Sequence, residues 1–133
     1  MSNLKYSNGT RHSQNEGLIT YAGSGAIINI YGGTQPTNAN TALSGQTLLV
    51  SCALAGIFGT DTNGTLTLGT VNNGTAVASG TATFFRITKS DGTTVVMDGS
   101  VGTSGADMNL DNTSIATGQT VTITSGTIIR ANQ

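Results

Sequence analysis

The chain has 133 residues, 36% hydrophobic and 5% aromatic with no Trp, which suits one domain with an aliphatic core. Charged residues make up 8%, against about 25% in an ordinary soluble domain, and the net charge is −1. This argues against disorder, which pairs low hydrophobicity with high net charge. It also argues against nucleic acid, because Lys5, Arg11, Arg86, Lys89 and Arg130 are scattered along the chain.

No run approaches the roughly 20 apolar residues of a membrane-spanning helix, so no membrane partner is expected. No apolar leader follows Met1, and synthesis in the cytoplasm is the expectation. Residues 1–17 are polar and show no period. They read either as a frayed terminus or as an extended arm that orders on a partner. In the second case Lys5, Tyr6, Arg11 and His12 are its candidate contact residues.

From residue 18 onward the pattern is β, and 18–133 is the expected folded domain. Residues 18–21 and 26–31 read as short strands around Gly23-Ser24-Gly25. Residues 37–45 form an Asn-, Ala- and Thr-rich loop opened by Pro36, the single proline. Residues 46–54 form a continuous apolar run that suits a central strand covered on both faces, with a buried helical segment as the alternative. The single Cys52 sits in that run and reads as a small buried hydrophobe, a nucleophile being the alternative.

Asp61-Thr62-Asn63-Gly64 is a turn, residues 65–68 alternate, and residues 71–75 turn again. The strongest strand is 81–89. It ends in Ser90-Asp91-Gly92, where Asp-Gly predicts a tight type I′ hairpin returning through 93–98. Asp98-Gly99 predicts a turn or bulge. Short strands follow at 106–110, 120–124 and 126–130. This many short strands with frequent turn signals predicts an antiparallel β-sandwich or jelly roll, a closed barrel being second. Thr65/Thr67, Thr81/Thr83 and Thr120/Thr122/Thr124 place hydroxyl rows on strand faces, either solvated or docked flat on a partner.

The residues give little material for catalysis. His12 is the one His, and an unpatterned arm does not hold a general base within about 3 Å of its target. Asp91 and Asp98 both precede Gly and are read as turn residues. Asp107, Asn109 and Asp111 share one face if 107–111 is a strand, which makes them a weak candidate for a hard cation. The blander alternative is a polar strand face running into an Asx-type turn. An EF-hand is excluded, since its Gly and Glu positions hold Asn112 and Gly118. No cofactor and no enzymatic activity are expected.

Four stretches carry a resemblance. They are Ile30-Tyr31-Gly32-Gly33-Thr34-Gln35-Pro36, Ala42-Leu43-Ser44-Gly45-Gln46-Thr47-Leu48-Leu49, Ser79-Gly80-Thr81-Ala82-Thr83-Phe84-Phe85-Arg86, and the stretch from Ser90-Asp91-Gly92-Thr93-Thr94-Val95-Val96-Met97-Asp98-Gly99 through residue 110. In order and spacing they resemble a family of small β-rich virion structural proteins of tailed bacteriophages and prophages, over most of residues 26–125. Residues 1–25 depart from the family pattern, in which many members carry a short apolar helical stretch.

The resemblance implies a virion component on the capsid surface, made in the host cytoplasm, with no catalytic residues to transfer. A capsid decoration or cement protein bound to the major capsid protein is the leading expectation, as a dimer or trimer on a symmetry axis. A tail or fibre-associated protein and a carbohydrate or host-surface binding module are the alternatives.

Overall fold

The computed structural model describes residues 5–129. It opens with a helix, α1 (Asn8–Ala22). The strands that follow are β1 (Ile27–Gly32), β2 (Thr47–Ala53), β3 (Gly59–Thr62), β4 (Thr65–Leu68), β5 (Gly74–Thr75) and β6 (Gly80–Thr81). Then come β7 (Phe84–Thr88), β8 (Val95–Gly102), β9 (Met108–Leu110), β10 (Ser114–Ile115), β11 (Thr120–Val121) and β12 (Ile123–Ile129).

Eight strands form one sheet in the order β2-β1-β7-β8-β9-β12-β4-β3, and two small ladders pair β10 with β6 and β11 with β5. The sheet curls into a sandwich-like all-β fold. It is mixed rather than purely antiparallel, because β8 and β9 run parallel through Val101↔Met108 and Gly102↔Asn109.

The core follows from strand alternation. Ile28 and Ile30 of β1, Val50 and Cys52 of β2, and Phe85 and Ile87 of β7 point to one side and are buried. Phe58, Leu66, Met108, Leu110 and Val121 close the core from the other strands and connections. Cys52 is a core side chain, and burial pushes its thiol above the ordinary range against a lowering hydrogen bond with the Gly74 backbone.

Several expectations are corrected. Residues 8–22 form a helix, not an extended arm plus a strand at 18–21. The side chain of Ser7 accepts from the Thr10 N–H at 3.1 Å, and the Gly23 N–H reaches Ile19 O at 3.1 Å with φ 72°. The boundary expected at residue 17 therefore falls inside a helix.

β2 is an edge strand, not a central one. It accepts from the following segment instead, through Val77 N–H to Leu49 O and Asn72 N–H to Ala53 O. A β-bulge against β1 puts Leu49 and Val50 inward in succession, which produces the apolar run read in the sequence.

The type I′ hairpin lies elsewhere. Asn63 (φ 52°) and Gly64 (φ 92°) join β3 to β4 with the two positive φ angles this turn requires. The β7–β8 connection is longer, closed by Lys89 N–H to Thr94 O, and only Gly92 of its Asp-Gly pair has positive φ. Asp91 caps that loop by accepting from the N–H groups of Thr93 and Thr94 and from Thr94 Oγ1, donors that hold its carboxyl down to about 2.

Asp98-Gly99 is neither turn nor bulge. β8 runs straight through it. Gly99 faces Phe85 across the ladder, and a Cβ there would lie 2.5 Å from the ring Cζ, inside a side chain that is 1% exposed. Gly99→Ala should therefore destabilise the domain by about 1–3 kcal/mol, the usual cost of overpacking. Denaturant unfolding checks this, and an unchanged midpoint would show that the Phe85 ring has room to move.

Candidate docking surface

The opposite face of β2–β1–β7–β8 is polar and read across by register. Ser51, Asn29, Arg86 and Asp98 occupy successive strands at one level. Ser51 Oγ donates to Asn29 Oδ1 at 2.7 Å, and Asn29 Nδ2 donates to Arg86 O at 3.3 Å. Arg86 meets Asp98 in a two-pronged pair, Nε to Oδ1 at 2.7 Å and Nη2 to Oδ2 at 2.8 Å. The next level holds Tyr31 stacked on Phe84, ring centroids 5.2 Å apart and nearly parallel.

The two charges are closed off, with side chains 6% and 5% exposed. The hydrogen bond with Asp98 pushes the Arg86 pKa upward. Asp98 thus has a structural partner, which its reading as a turn residue concealed. What remains at the surface of this face over β2, β1 and β7 is neutral: Ser51 is exposed, Asn29 and Tyr31 are half-buried, and Leu48 is 36% exposed beside Tyr31, while at the β8 margin Ser100 carries the exposed Asp107 carboxylate.

The expected arm residues divide. Lys5 is exposed and Tyr6 half-buried, both ahead of α1. Arg11 and His12 lie on α1 and engage the β3–β4 hairpin. Arg11 Nη2 donates to Asn63 O at 2.6 Å. His12 Nδ1 lies 2.6 Å from Asp61 Oδ2, and Asn15 Nδ2 donates to Asp61 Oδ1. The Gly64 N–H adds a bond to Oδ2 at 3.2 Å.

His12 is therefore held, contrary to the expectation from an arm. Its Nε2 points toward Glu16 Oε1 at 4.0 Å, and its ring is half-exposed. Acyl-transfer chemistry needs a nucleophile within hydrogen-bond reach of such a base. The described polar contacts of His12 are to Asp61 and Glu16, two carboxylates. Locally, Asp61 fits the Asp61-Thr62-Asn63-Gly64 turn. The signal that could have found it is the inward position it takes in β3, two residues before Asn63-Gly64.

Asp107, Asn109 and Asp111 flank the buried Met108 and Leu110, as strand alternation requires. Asp107 Oδ2 accepts from Ser100 N at 2.9 Å and from Ser100 Oγ at 3.0 Å, and Asn109 Oδ1 accepts from Ala106 N at 3.3 Å. Asp107 thereby ties β8 to the segment entering β9, Asn109 braces that same segment, and Asp111 is exposed in the bend after β9. Among the described residues no group of three or more His, Cys, Asp or Glu is placed to hold a metal ion. No described helix is long and apolar enough to cross a membrane. No protein-family model, curated protein or solved structure matches the chain.

Two outcomes follow. Arg86→Met leaves Asp98 without its cation at a side-chain exposure of 5%. Breaking a buried pair costs roughly 3–5 kcal/mol. Both side chains keep a few per cent of exposure, so the loss should fall near the low end, about 3 kcal/mol by chemical denaturation.

The second concerns pH. Burial alone would raise the Asp61 carboxyl, but bonds from Asn15, His12 and the Gly64 N–H outweigh it and hold it below the ordinary 3.8. The unfolded state then binds the proton more readily, so the contribution of Asp61 is complete above about pH 3.8. It is lost as pH falls through the lowered value. Helical circular dichroism should decline in that window in the wild type. In Asp61→Asn, the part of the decline that belongs to Asp61 should be missing.

Proposed function

We propose that this domain is a non-enzymatic virion structural protein of a tailed bacteriophage, most simply a capsid decoration or cement protein that seats on the major capsid protein shell and stabilises the head. The observation that carries the reading is the outer face of β2–β1–β7–β8. Its one charge pair, Arg86–Asp98, is satisfied within the sheet, Asp107 at the β8 margin is bonded to Ser100, and over β2, β1 and β7 the groups left for a partner are hydroxyls, amides, Tyr31 and Leu48. A surface of this kind docks without stripping water from unpaired charges.

The near-neutral composition supports the same reading, since a protein present in many copies on one shell avoids repulsion between neighbours when its own charge is small. So does the resemblance of residues 26–125 to β-rich virion proteins. A closed dimer or trimer on a symmetry axis is part of the proposal, because such axes repeat across a shell.

The test is sedimentation of the purified protein with heads that lack it and, separately, with isolated tails. Saturable binding to heads is expected. Ser51→Arg and Leu48→Arg should weaken it by about tenfold or more, as unpaired charges buried at a contact do, while leaving the melting temperature unchanged. Binding to tails alone would move the protein to the tail apparatus. Binding to neither would overturn the virion reading.

A further inference from the structure

We propose that α1 is built in two parts hinged at Gly17, and that its first half, through Glu16, is a latch that lifts from the sheet as a unit while the rest of the domain stays folded. The inference stands on the fold alone and does not depend on what the domain docks to.

The two halves are held differently. Beyond Gly17, Ala22 is 2% exposed within the core and Leu18 and Ile19 pack against it. Tyr21 is further tied to the sheet by Lys89, whose Nζ lies 4.0 Å above its ring centre. Within residues 8–16 there is no apolar side chain to take part. The contacts are Arg11 to Asn63 O and the convergence of His12 and Asn15 on Asp61. Asn15 is the one fully buried residue of that half, and it is polar.

That polar half is also incompletely satisfied. Among the described residues, four buried side-chain polar atoms lack a partner: Arg11 Nε, Gln14 Oε1, Asn15 Oδ1 and Thr88 Oγ1. Three of them are on the first half of α1. A buried polar atom without a partner loses the bonds that water would give it. Undocking restores those bonds, so the first half gains part of what it gives up on leaving.

Gly17 supplies the joint. Its φ is not in the left-handed region, and a Cβ there would meet nothing within 4 Å. Neither backbone conformation nor packing calls for glycine. Its effect in mid-helix is to weaken the helix by about 1 kcal/mol relative to Ala. That weakness sits where apolar anchoring gives way to polar latching. Lifting the latch frees the Asp61 carboxylate and the Asn63 carbonyl as acceptors on the hairpin. It also releases the polar segment 8–16 to reach beyond the domain.

Hydrogen exchange of the full chain tests this through two variants of opposite sign. In Asp61→Asn the amides of residues 12–16 should exchange about tenfold faster or more, because the charged acceptor shared by His12 and Asn15 is lost. In Gly17→Ala the same amides should exchange about fivefold more slowly. Protection of β7 and β8 should stay within twofold of wild type in both. The latch is overturned if protection in the sheet moves in step with α1, which would make them one cooperative unit. Unchanged exchange at residues 12–16 overturns it as well. Should Asp61→Asn not fold, Gly17→Ala decides alone.

Discussion

The sheet is organised around one ion pair. In a chain with 8% charged residues, Arg86 is placed in a strand, β7, whose five residues are all buried. A guanidinium cannot lose its charge at accessible pH and is costly to bury without a matched acceptor. Asp98, its register partner on β8, supplies both carboxylate oxygens. A slip of β7 by one residue would turn Arg86 into the aliphatic core and bring Phe85 and Ile87 out. The pair therefore gives little net stability but forbids the neighbouring registers. Register at β7 then passes to β1, through Tyr31↔Phe84 and Asn29↔Arg86, and from β1 to β2.

This constraint shapes the surface. With its charges engaged inside the sheet, the outer face is finished with Ser51, Asn29, Tyr31 and the threonines of neighbouring elements. The edges are short or occupied. β2 is bordered by the backbone of residues 72–77, and β3 is four residues long with a carboxylate turned inward at Asp61. Inward charges and short edges are ways in which natural sheets avoid uncontrolled pairing. What the sheet leaves accessible is its polar outer face rather than a strand edge.

Much of this was legible in the sequence, and the failures share a cause. β1, β4 and β9 could be read from alternation because each has one buried face, whereas β7, buried throughout, and β8, half-buried along its length, could be read only from their β-branched and aromatic residues. The core role of Cys52 could be read from its run of apolar neighbours. α1 could not, because it has no apolar stripe. It contains Gly9, Gly17, Asn8 and Asn15, and its first half docks through polar atoms that any periodicity of hydrophobic residues misses. Asp61 and Asp98 were hidden for a related reason. Each sits near a Gly and fits turn chemistry locally, and only the pairing of distant strands shows that one receives the helix and the other the arginine. In sequence β2 reads as a central strand because its bulge imitates two-sided burial.

Asp61 and Asp98 show how the same side chain can set rigidity in one place and mobility in another. Both carboxylates are withdrawn from solvent, at 0% and 5% side-chain exposure. Asp98 is answered by a full positive charge in a two-pronged geometry on an adjacent strand, so separating the pair would strand two charges at once. Asp61 is answered by an amide, a backbone N–H and an imidazole, donors that water replaces at small cost. The consequence is a domain whose stiff part is its sheet and whose loosely held part is the polar first half of α1. Binding through a rigid face requires little ordering of side chains, whereas a segment that re-seats on a partner adds contact area but must be ordered on arrival. Keeping that segment folded and latched, rather than extended, limits what must be broken to release it to a few polar contacts.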